Sequence, residues 1–384
     1  MTVIFISIVL ISAFIAGYSV HRMAAGAGLP RLYVLLLCLG AALLGALHQA
    51  LLSIGNYYDF RSLYYPLLIT AATVVLGTLV LPWALAYDAL TLILSRFFRN
   101  RFKSQSFKLW RHRLTRLFIL IYVPLALFAT YEGVRVPEIK AVPLSYSALP
   151  EELSGLKVVQ VTDIHASPLF LQKRTAAIVE KVNALKPDLI LVTGDQSDGT
   201  PAARAHSLEP LKNLQAPLGT YFVSGNHEYI TDFKEWMDYY RKEGLKLLLN
   251  DNVTLKVGAA TLAVAGLPDD SAPSRGFEGP SPDQALKGTQ NADFTILLSH
   301  QPRHAAEYAA REDAPDLILS GHTHGGQISY LKGVTANANS GFVEGLYQLR
   351  HTLLYVSDGS GLWCGYVPRL GTSGEITLFT LSSK

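Results

Sequence analysis

Side chains of the types that bind metal ions follow several short apolar runs in the second half of the chain. Asp163 and His165 follow the run LKVVQVT, and Asp195 follows DLILVTG. His322 and His324 follow DLILSG. Residues two apart in an extended backbone point to the same face, so each of these two spaced pairs can reach one common centre.

Two further apolar runs end in donors of the same kind. Asn226 and His227 follow TYFVSG, and His300 follows FTILLS. In an α/β sheet, groups just beyond the carboxyl ends of the strands converge on one crevice, so we expect these side chains to meet. Mixed Asp, His and Asn donors suit borderline divalent ions such as Mn, Fe or Zn. Eight candidate groups exceed the shell of one ion, and two ions that share a carboxylate match the count.

The elements that must position these groups alternate between strands and helices, as in an α/β domain. From Leu156 onward, short β-rich runs alternate with helical patterns near 171–185 and 202–214. Some later runs have no helix between them, so we expect two packed sheets flanked by helices. These later runs cover residues 261–265, 294–298, 316–319, 353–357 and 375–381.

The ordered motifs resemble those of the calcineurin-like metallophosphoesterase family. They are Asp163-Ile164-His165, Gly194-Asp195-Gln196-Ser197-Asp198, Gly225-Asn226-His227-Glu228, Ser299-His300 and Gly321-His322-Thr323-His324. The resemblance covers roughly residues 156–381, and with the apolar segments ahead of it the chain is similar to the family's membrane-attached bacterial branch. It implies an α/β metallophosphoesterase domain over residues 156–384, folded as a four-layered α/β/β/α sandwich.

The resemblance also implies a ligand set for two divalent ions. Asp195 would bridge the two ions. The first ion would be held by Asp163, His165, Asp195 and His324, and the second by Asp195, Asn226, His300 and His322.

Three other residues receive roles from the same resemblance. His227 would be a catalytic acid at the substrate or leaving oxygen, with Asp198 positioned to orient it. Arg369 resembles an arginine of the membrane-attached branch, and its guanidinium could bind a substrate phosphate or form a structural salt bridge. The implied activity is attack of metal-activated hydroxide on a phosphodiester, pyrophosphate or phosphomonoester.

The first third of the chain is rich in apolar segments long enough to cross a bilayer as helices. The first lacks a preceding basic region, so we interpret it as a retained span rather than a cleaved signal peptide. We assign residues 1–136 to an α-helical transmembrane bundle of about four spans and the Pro-rich residues 137–155 to a linker. The candidate spans cover residues 3–20, 32–54, 63–95 and 117–131.

The charges between these segments predict the orientation of the chain. The positive-inside rule places the first and third loops in the cytoplasm, so we expect a multi-pass plasma (inner) membrane protein with an extracytoplasmic, periplasmic catalytic domain. The third loop has no acidic residue between its basic ones, which are Arg96, Arg99, Arg101, Lys103, Lys108, Arg111, Arg113 and Arg116.

Charge also argues against nucleic acid as a partner. Residues 1–136 carry 12 Lys and Arg against 3 Asp and Glu, whereas the rest of the chain carries 21 against 27. An acidic domain binds a polyanion poorly. The two cysteines, Cys38 and Cys364, have no paired spacing, so neither a disulfide framework nor a thiolate zinc site is expected.

The short tether to the bilayer favours a phosphorylated lipid or envelope glycolipid head group as substrate. The alternatives are a phosphoesterase for soluble nucleotides or phosphoproteins, and a non-catalytic metal-stabilised membrane sensor. Trp363 and Tyr366 could line a lipid-facing groove or simply pack, and His48 and Asp88 in or beside the spans have no assigned role. The oligomeric state and the identity of the metals are not specified by the sequence.

Overall fold

The computed structural model describes residues 2–59, 61–98, 100, 104–363 and 365–383. The chain forms two compact units. The helical unit consists of Met1–Gly55, Phe60–Glu132 and Gly365–Pro368, and the sheet unit consists of Asn56–Asp59, Gly133–Cys364 and Arg369–Lys384. Four residues discussed above, Arg99, Arg101, Lys103 and Cys364, lie outside the described part of the chain.

Long apolar helices account for the amino-terminal third of the chain. Each of the four is long and apolar enough to cross a membrane, which confirms the prediction of about four such helices. They are α1 (Thr2–Gly26), α2 (Arg31–Gly55), α3 (Tyr64–Phe97) and α4 (Gln105–Val134).

Small residues let the first three helices approach closely. A Cβ atom added to Gly45 of α2 would lie 2.6 Å from the main-chain oxygen of Ser12 in α1. One added to Gly77 of α3 would lie 3.0 Å from the Cα atom of Ala16. The Ser19 hydroxyl donates a hydrogen bond to the main-chain oxygen of Gly77 at 2.8 Å. Close backbone approach and interhelical hydrogen bonds of this kind stabilise helix pairs in lipid.

The start of α4 is held against the connection between α1 and α2. His112 Nδ1 donates to the main-chain oxygen of Gly26 at 2.7 Å, and Arg116 Nε donates to that of Ala27 at 3.3 Å. The first loop and the end of the third loop therefore lie at the same end of the helical unit.

Two six-stranded sheets form the centre of the sheet unit. In spatial order, the first sheet is β1-β12-β2-β3-β4-β5 and the second is β10-β11-β9-β8-β7-β6, with strand bounds as follows. The strands are β1 (Glu138–Tyr146), β2 (Lys157–Val161), β3 (Leu189–Thr193), β4 (Thr220–Val223), β5 (Lys246–Leu247), β6 (Asp251–Val257), β7 (Ala260–Gly266), β8 (Phe294–Leu298), β9 (Leu317–Ser320), β10 (Gly345–Leu349), β11 (Thr352–Val356) and β12 (Glu375–Ser383).

Short helices cover the outer faces of both sheets. Alternate residues of a strand point to opposite faces, so Val158 of β2 packs between the sheets whereas its neighbour Val159 packs outward against Ile178. The other sheet packs outward against residues such as Tyr308. The predicted four-layered α/β/β/α sandwich is confirmed. Its helices are α5 (Gln172–Ala184), α6 (Pro201–Leu208), α7 (Asn226–Ile230), α8 (Phe233–Lys242), α9 (Pro282–Ala285), α10 (Ala305–Tyr308) and α11 (Lys332–Ala338).

The segment assigned to a linker, residues 137–155, differs from that prediction. Residues Glu138–Tyr146 form β1, which pairs in parallel with β12 along its whole length. The sequence did not predict this strand because it contains Pro143, and proline interrupts most strands. Because β1 lies at the edge of its sheet, a proline without an N–H group is tolerated there, and Leu144 still enters the core between the sheets.

Candidate metal centre

The predicted ligands lie at strand ends of both sheets, and most of them have a left-handed backbone conformation with positive φ. Non-glycine residues in the left-handed region cost about 1–3 kcal/mol each and cluster at functional sites. Of the ten described non-glycine residues with positive φ, five are predicted ligands. Their φ angles are 55° at Asp163, 49° at His165, 55° at Asp195, 70° at His322 and 50° at His324.

The candidate ligand atoms fall into three overlapping groups. Within each group, one atom from every residue lies within 4.8 Å of the others. Asp195 belongs to two of the groups, which is the position expected of a shared carboxylate. The groups are Asp163, His165 and His324; His165, Asp195 and His227; and Asp195, His300 and His322.

The carboxylate oxygens stand at the middle of this arrangement. Asp195 Oδ2 lies 3.2 Å from His300 Nε2 and 3.6 Å from His165 Nε2. Asp163 Oδ1 lies 3.7 Å from His165 Nε2 and 3.7 Å from His324 Nε2. Nitrogen and oxygen atoms at these separations can share one ion between them.

Two buried ring nitrogens test whether a cation fits. Nε2 of His165 and Nε2 of His300 are buried and have no hydrogen-bond partner. The other nitrogen of each ring is engaged, because His165 Nδ1 donates to Asp198 Oδ1 at 2.8 Å and His300 Nδ1 donates to the Thr193 main-chain oxygen at 2.8 Å. These bonds leave the Nε2 lone pairs free in the form that ligates metals. The donor set therefore fits divalent ions.

Asn226 joins the part of the site formed by His300 and His322. Its Oδ1 atom lies 2.9 Å from His322 Nδ1. The structure thus brings together all seven side chains predicted as ligands, which are Asp163, His165, Asp195, Asn226, His300, His322 and His324.

Two glycines beside the candidate ligands are required because neighbouring residues lie too close to leave room for a side chain. A Cβ atom at Gly194, where φ is +95°, would lie 2.4 Å from His300 Nδ1. One at Gly225 would lie 2.2 Å from Asp195 Oδ1. Both contacts are shorter than any side chain permits, so the two loops can meet only through glycine.

Asp198 lies within hydrogen-bond distance of both His227, which it was predicted to orient, and the predicted ligand His165. Its Oδ1 atom accepts from His227 Nδ1 at 2.6 Å and from His165 Nδ1 at 2.8 Å. Burial works to raise the pKa of Asp198, but the neighbouring His165 and His227 hold it well below its ordinary value. Burial lowers the pKa of His227, and the charges of Asp195 and Asp198 outweigh it, so that pKa is raised.

Glu228 supports the loops that carry the candidate ligands, a role that was not predicted from its sequence context. It is fully buried, and its carboxylate accepts from the amides of Gly225 at 2.7 Å, Gln196 at 2.8 Å and Asp195 at 3.2 Å. Burial, followed by the charge of Asp195, raises the pKa of Glu228 to about 7. Glu228 therefore ties the loop after β3 to the start of α7. The signal was present, since a Glu three residues after an N-cap is a capping-box pattern.

Arg369 is buried beneath the loops rather than exposed to solvent, with 1% of its surface accessible. Its guanidinium donates to the main-chain oxygens of Asp358 at 2.6 Å, Gly361 at 2.9 Å and Gly359 at 3.1 Å. A weaker contact reaches the main-chain oxygen of His324 at 3.4 Å. These contacts favour a supporting role for Arg369, and binding of a substrate phosphate stays a prediction.

Two residues without an assigned role have structural partners in the helical unit. His48 Nδ1 lies 3.0 Å from the Thr70 hydroxyl, and both side chains are buried. Asp88 forms an ion pair with Arg22 and accepts a hydrogen bond from the Tyr18 hydroxyl. Neither residue belongs to a group of candidate metal ligands within the described residues.

The two aromatic residues near the end of the chain fall in different units. Tyr366 belongs to the helical unit, where its hydroxyl donates to Thr78 Oγ1 at 3.1 Å. Trp363 belongs to the sheet unit and is 40% exposed. A lipid-facing groove lined by the two residues therefore stays one of two open alternatives, beside ordinary packing.

Comparisons with known proteins agree with the motifs. The model of the calcineurin-like phosphoesterase family matches residues 156–326. An uncharacterised metallophosphoesterase from Campylobacter jejuni is 31% identical over 335 residues, which cover 86% of this chain and 83% of that protein. A transmembrane protein with a metallophosphoesterase domain from Danio rerio is 33% identical over 292 residues, which cover 74% of this chain and 66% of that protein.

Solved structures give a more distant likeness. The crystal structure of a 5′-nucleotidase precursor from Thermus thermophilus matches with a TM-score of 0.39 at 18% identity. The match covers 59% of this chain and 54% of that one.

Proposed function

The chain belongs to the calcineurin-like metallophosphoesterase family, and we propose that it is a membrane-bound dinuclear-metal phosphoesterase acting on a lipid or envelope glycolipid head group. The bond hydrolysed is a phosphodiester, a pyrophosphate or a phosphomonoester. The observation that carries the proposal is the position of Asp195, whose carboxylate is common to two groups of candidate ligands.

The ligands divide into two sets around that carboxylate. Divalent ions such as Mn, Fe or Zn, held there, would supply a nucleophile from water at neutral pH and neutralise charge at phosphorus. The set for one ion is Asp163, His165, Asp195 and His324, and the set for the other is Asp195, Asn226, His300 and His322.

His227 is placed to handle the proton of the leaving oxygen. Its Nδ1–H group is directed at Asp198 Oδ1, which leaves Nε2 for the substrate. The main-chain amide of His227 donates to Asp195 Oδ1 at 2.8 Å, so the residue is fixed to the shared carboxylate through its backbone as well. Donation from Nε2 to the departing oxygen gives a neutral ring that keeps its hydrogen bond to Asp198.

The lipid substrate is supported by the helices that share the chain with this site. Four candidate spans restrict the sheet unit to the neighbourhood of a bilayer, where head groups are concentrated. Soluble nucleotides and phosphoproteins do not require such an attachment.

An extracytoplasmic position of the sheet unit in the plasma membrane is supported by two observations. The start of α4, which follows the third loop, is joined to the loop between α1 and α2 by the His112 and Arg116 hydrogen bonds, and the positive-inside rule assigns that end of the helical unit to the cytoplasm. Asn56–Asp59, in the loop between α2 and α3, belongs to the sheet unit. A reporter fused after Lys384 tests the topology, and a cytoplasmic signal would contradict it.

The hydrolytic activity is tested with the full-length protein purified in detergent and loaded with Mn. We expect turnover of bis(p-nitrophenyl) phosphate or p-nitrophenyl phosphate by the wild type and none by an Asp195→Ala variant. The ratio of the two rates separates diester from monoester preference. Inactivity of the loaded wild type on every phosphoester would favour the non-catalytic sensor.

The substrate class needs a second experiment. Lipid extracts of cells that lack the protein are compared with extracts of cells that carry the wild type or Asp195→Ala. We expect one phosphorylated lipid to accumulate in both mutant strains. Identical lipid profiles in all three strains would contradict the lipid substrate and favour a soluble one.

A further inference from the structure

A short segment between two membrane helices is built into the sheet unit. Residues Asn56–Asp59, which we call the connecting segment, follow the end of α2 at Gly55 and precede α3. They belong to the sheet unit, although the helices on both sides of them belong to the helical unit.

The connecting segment packs against the residues that directly follow Asp198. The main-chain oxygen of Asn56 accepts a hydrogen bond from the Thr200 amide at 2.9 Å. Gly199 has a φ of +112°, and a Cβ atom there would lie 2.4 Å from the same Asn56 oxygen. The two backbones are therefore in direct contact, at a distance that only glycine permits.

Further contacts hold the segment on the helix that follows. The Arg204 guanidinium, fully buried on α6, lies 3.5 Å from the main-chain oxygen of Tyr58. His206 Nε2, also on α6, lies 3.8 Å from Asp59 Oδ1. The contact thus extends along the segment and is not limited to one hydrogen bond.

Gly199 connects this contact to the helix that carries His227. Its main-chain oxygen accepts from the Thr231 hydroxyl at 2.8 Å and from Trp236 Nε1 at 2.9 Å. Thr231 follows α7 directly, and α7 begins at Asn226 and His227. The peptide after Asp198 is therefore held on one side by α7 and α8 and on the other by the connecting segment.

We propose that the connecting segment is a positioning element for the catalytic site. By fixing the Gly199–Thr200 backbone, it keeps the Asp198 carboxylate where it can accept hydrogen bonds from both His165 and His227. The contacts described above reach Gly199, Thr200 and α6 rather than the candidate ligands or His227, so the segment acts through Asp198. The catalytic readout of this inference rests on the proposed phosphoesterase activity.

One substitution breaks the contact between the connecting segment and the backbone after Asp198. Thr200 has φ −78° and ψ 155°, which proline can adopt. Thr200→Pro puts a ring carbon where the amide hydrogen donates to the Asn56 oxygen, 2.9 Å from the nitrogen, so the two backbones must separate. The main-chain oxygen of residue 200 can still accept from the Arg204 amide, a bond of 3.0 Å. Thr200→Ala keeps the amide and loses only the side chain, so it is the matched control.

We expect kcat of the full-length Thr200→Pro protein to fall about 10-fold, because small misplacements of catalytic groups are costly. KM at saturating Mn should stay close to wild type, and metal affinity should fall, because Asp198 also bonds to the predicted ligand His165. Because His227 serves the leaving oxygen, the loss should be greater for an alkyl phosphoester than for a p-nitrophenyl ester, whose leaving group needs no proton. Thr200→Ala should behave as wild type. An unchanged kcat, or an equal loss for both esters, would overturn the proposal.

Hydrogen exchange of the metal-free protein gives a readout that needs no activity. We expect faster exchange in Thr200→Pro than in Thr200→Ala for peptides covering residues 195–199 and 226–231. The exchange rates of peptides from the strands should be the same in both variants. Equal exchange in the two variants would overturn the inference. Inactivity of the wild type would defeat the proposed function, and exchange would still decide whether the segment orders these residues.

Discussion

Two equally buried histidines show what distinguishes a functional position from a structural one. His48 in the helical unit and His300 in the sheet unit are each 1% exposed. His48 Nδ1 faces the Thr70 hydroxyl, a neutral partner that itself bonds to the Leu67 main-chain oxygen at 3.0 Å. His300 also has its Nδ1 bonded, but its Nε2 has no hydrogen-bond partner and lies 3.2 Å from Asp195.

The difference teaches that burial alone does not indicate a site. A buried polar atom without a partner costs about 1–3 kcal/mol, so a native fold retains one where something else compensates the cost. The Nε2 atoms of His165 and His300 are of this kind, and both face the Asp195 carboxylate.

The largest effect is expected from Asp195→Asn. The amide keeps the shape of the side chain but loses the charge common to two ligand groups. We expect kcat to fall by at least about 100-fold, since even outer-shell partners of metals are worth 10–100-fold. Metal analysis should show fewer ions per chain than in wild type. A variant that retains both its ions and its rate would contradict the shared-carboxylate assignment.

His227→Gln should have the next largest effect. The side chain keeps hydrogen-bonding capacity but cannot donate a proton, so the rate on an alkyl phosphoester should fall about 100-fold, within the range for general acids. The ion content should not change, because His227 is a predicted acid and not a predicted ligand. Loss of metal from this variant would instead make His227 a ligand, consistent with its place in a group with His165 and Asp195.

Glu228→Ala should act mainly on stability. Three amides, of Gly225, Gln196 and Asp195, lose their acceptor, and the free energy of unfolding should fall by about 1–3 kcal/mol. Thermal unfolding with and without Mn measures this loss, and Glu235→Ala on an exposed position of α8 is the control. An unchanged melting temperature would mean that these hydrogen bonds do not tie the two loops together.

His48→Leu should have the smallest effect on function. Thr70 keeps its bond to the Leu67 oxygen, so no metal-binding group is disturbed. We expect wild-type kcat and ion content, with any change limited to stability in detergent. A drop in bound metal would show that His48, like His300, affects the metal site.

The sequence could predict that the candidate ligands lie together, because each lies just beyond an apolar strand and such ends meet in α/β sheets. It could not predict the contacts of Arg369, whose described acceptors are main-chain oxygens that any residue provides. The connecting segment was missed for the same reason, since Asn56 acts through its backbone. Strand β1 was missed because Pro143 masks its alternation, and only its place at the sheet edge permits it.

The most direct test of the dinuclear centre is a crystal structure of the Mn-loaded protein with anomalous scattering recorded at the manganese edge. We expect two peaks, about 3.5–4 Å apart, on either side of the Asp195 carboxylate. A single peak, or two peaks of which neither contacts Asp195, would contradict it.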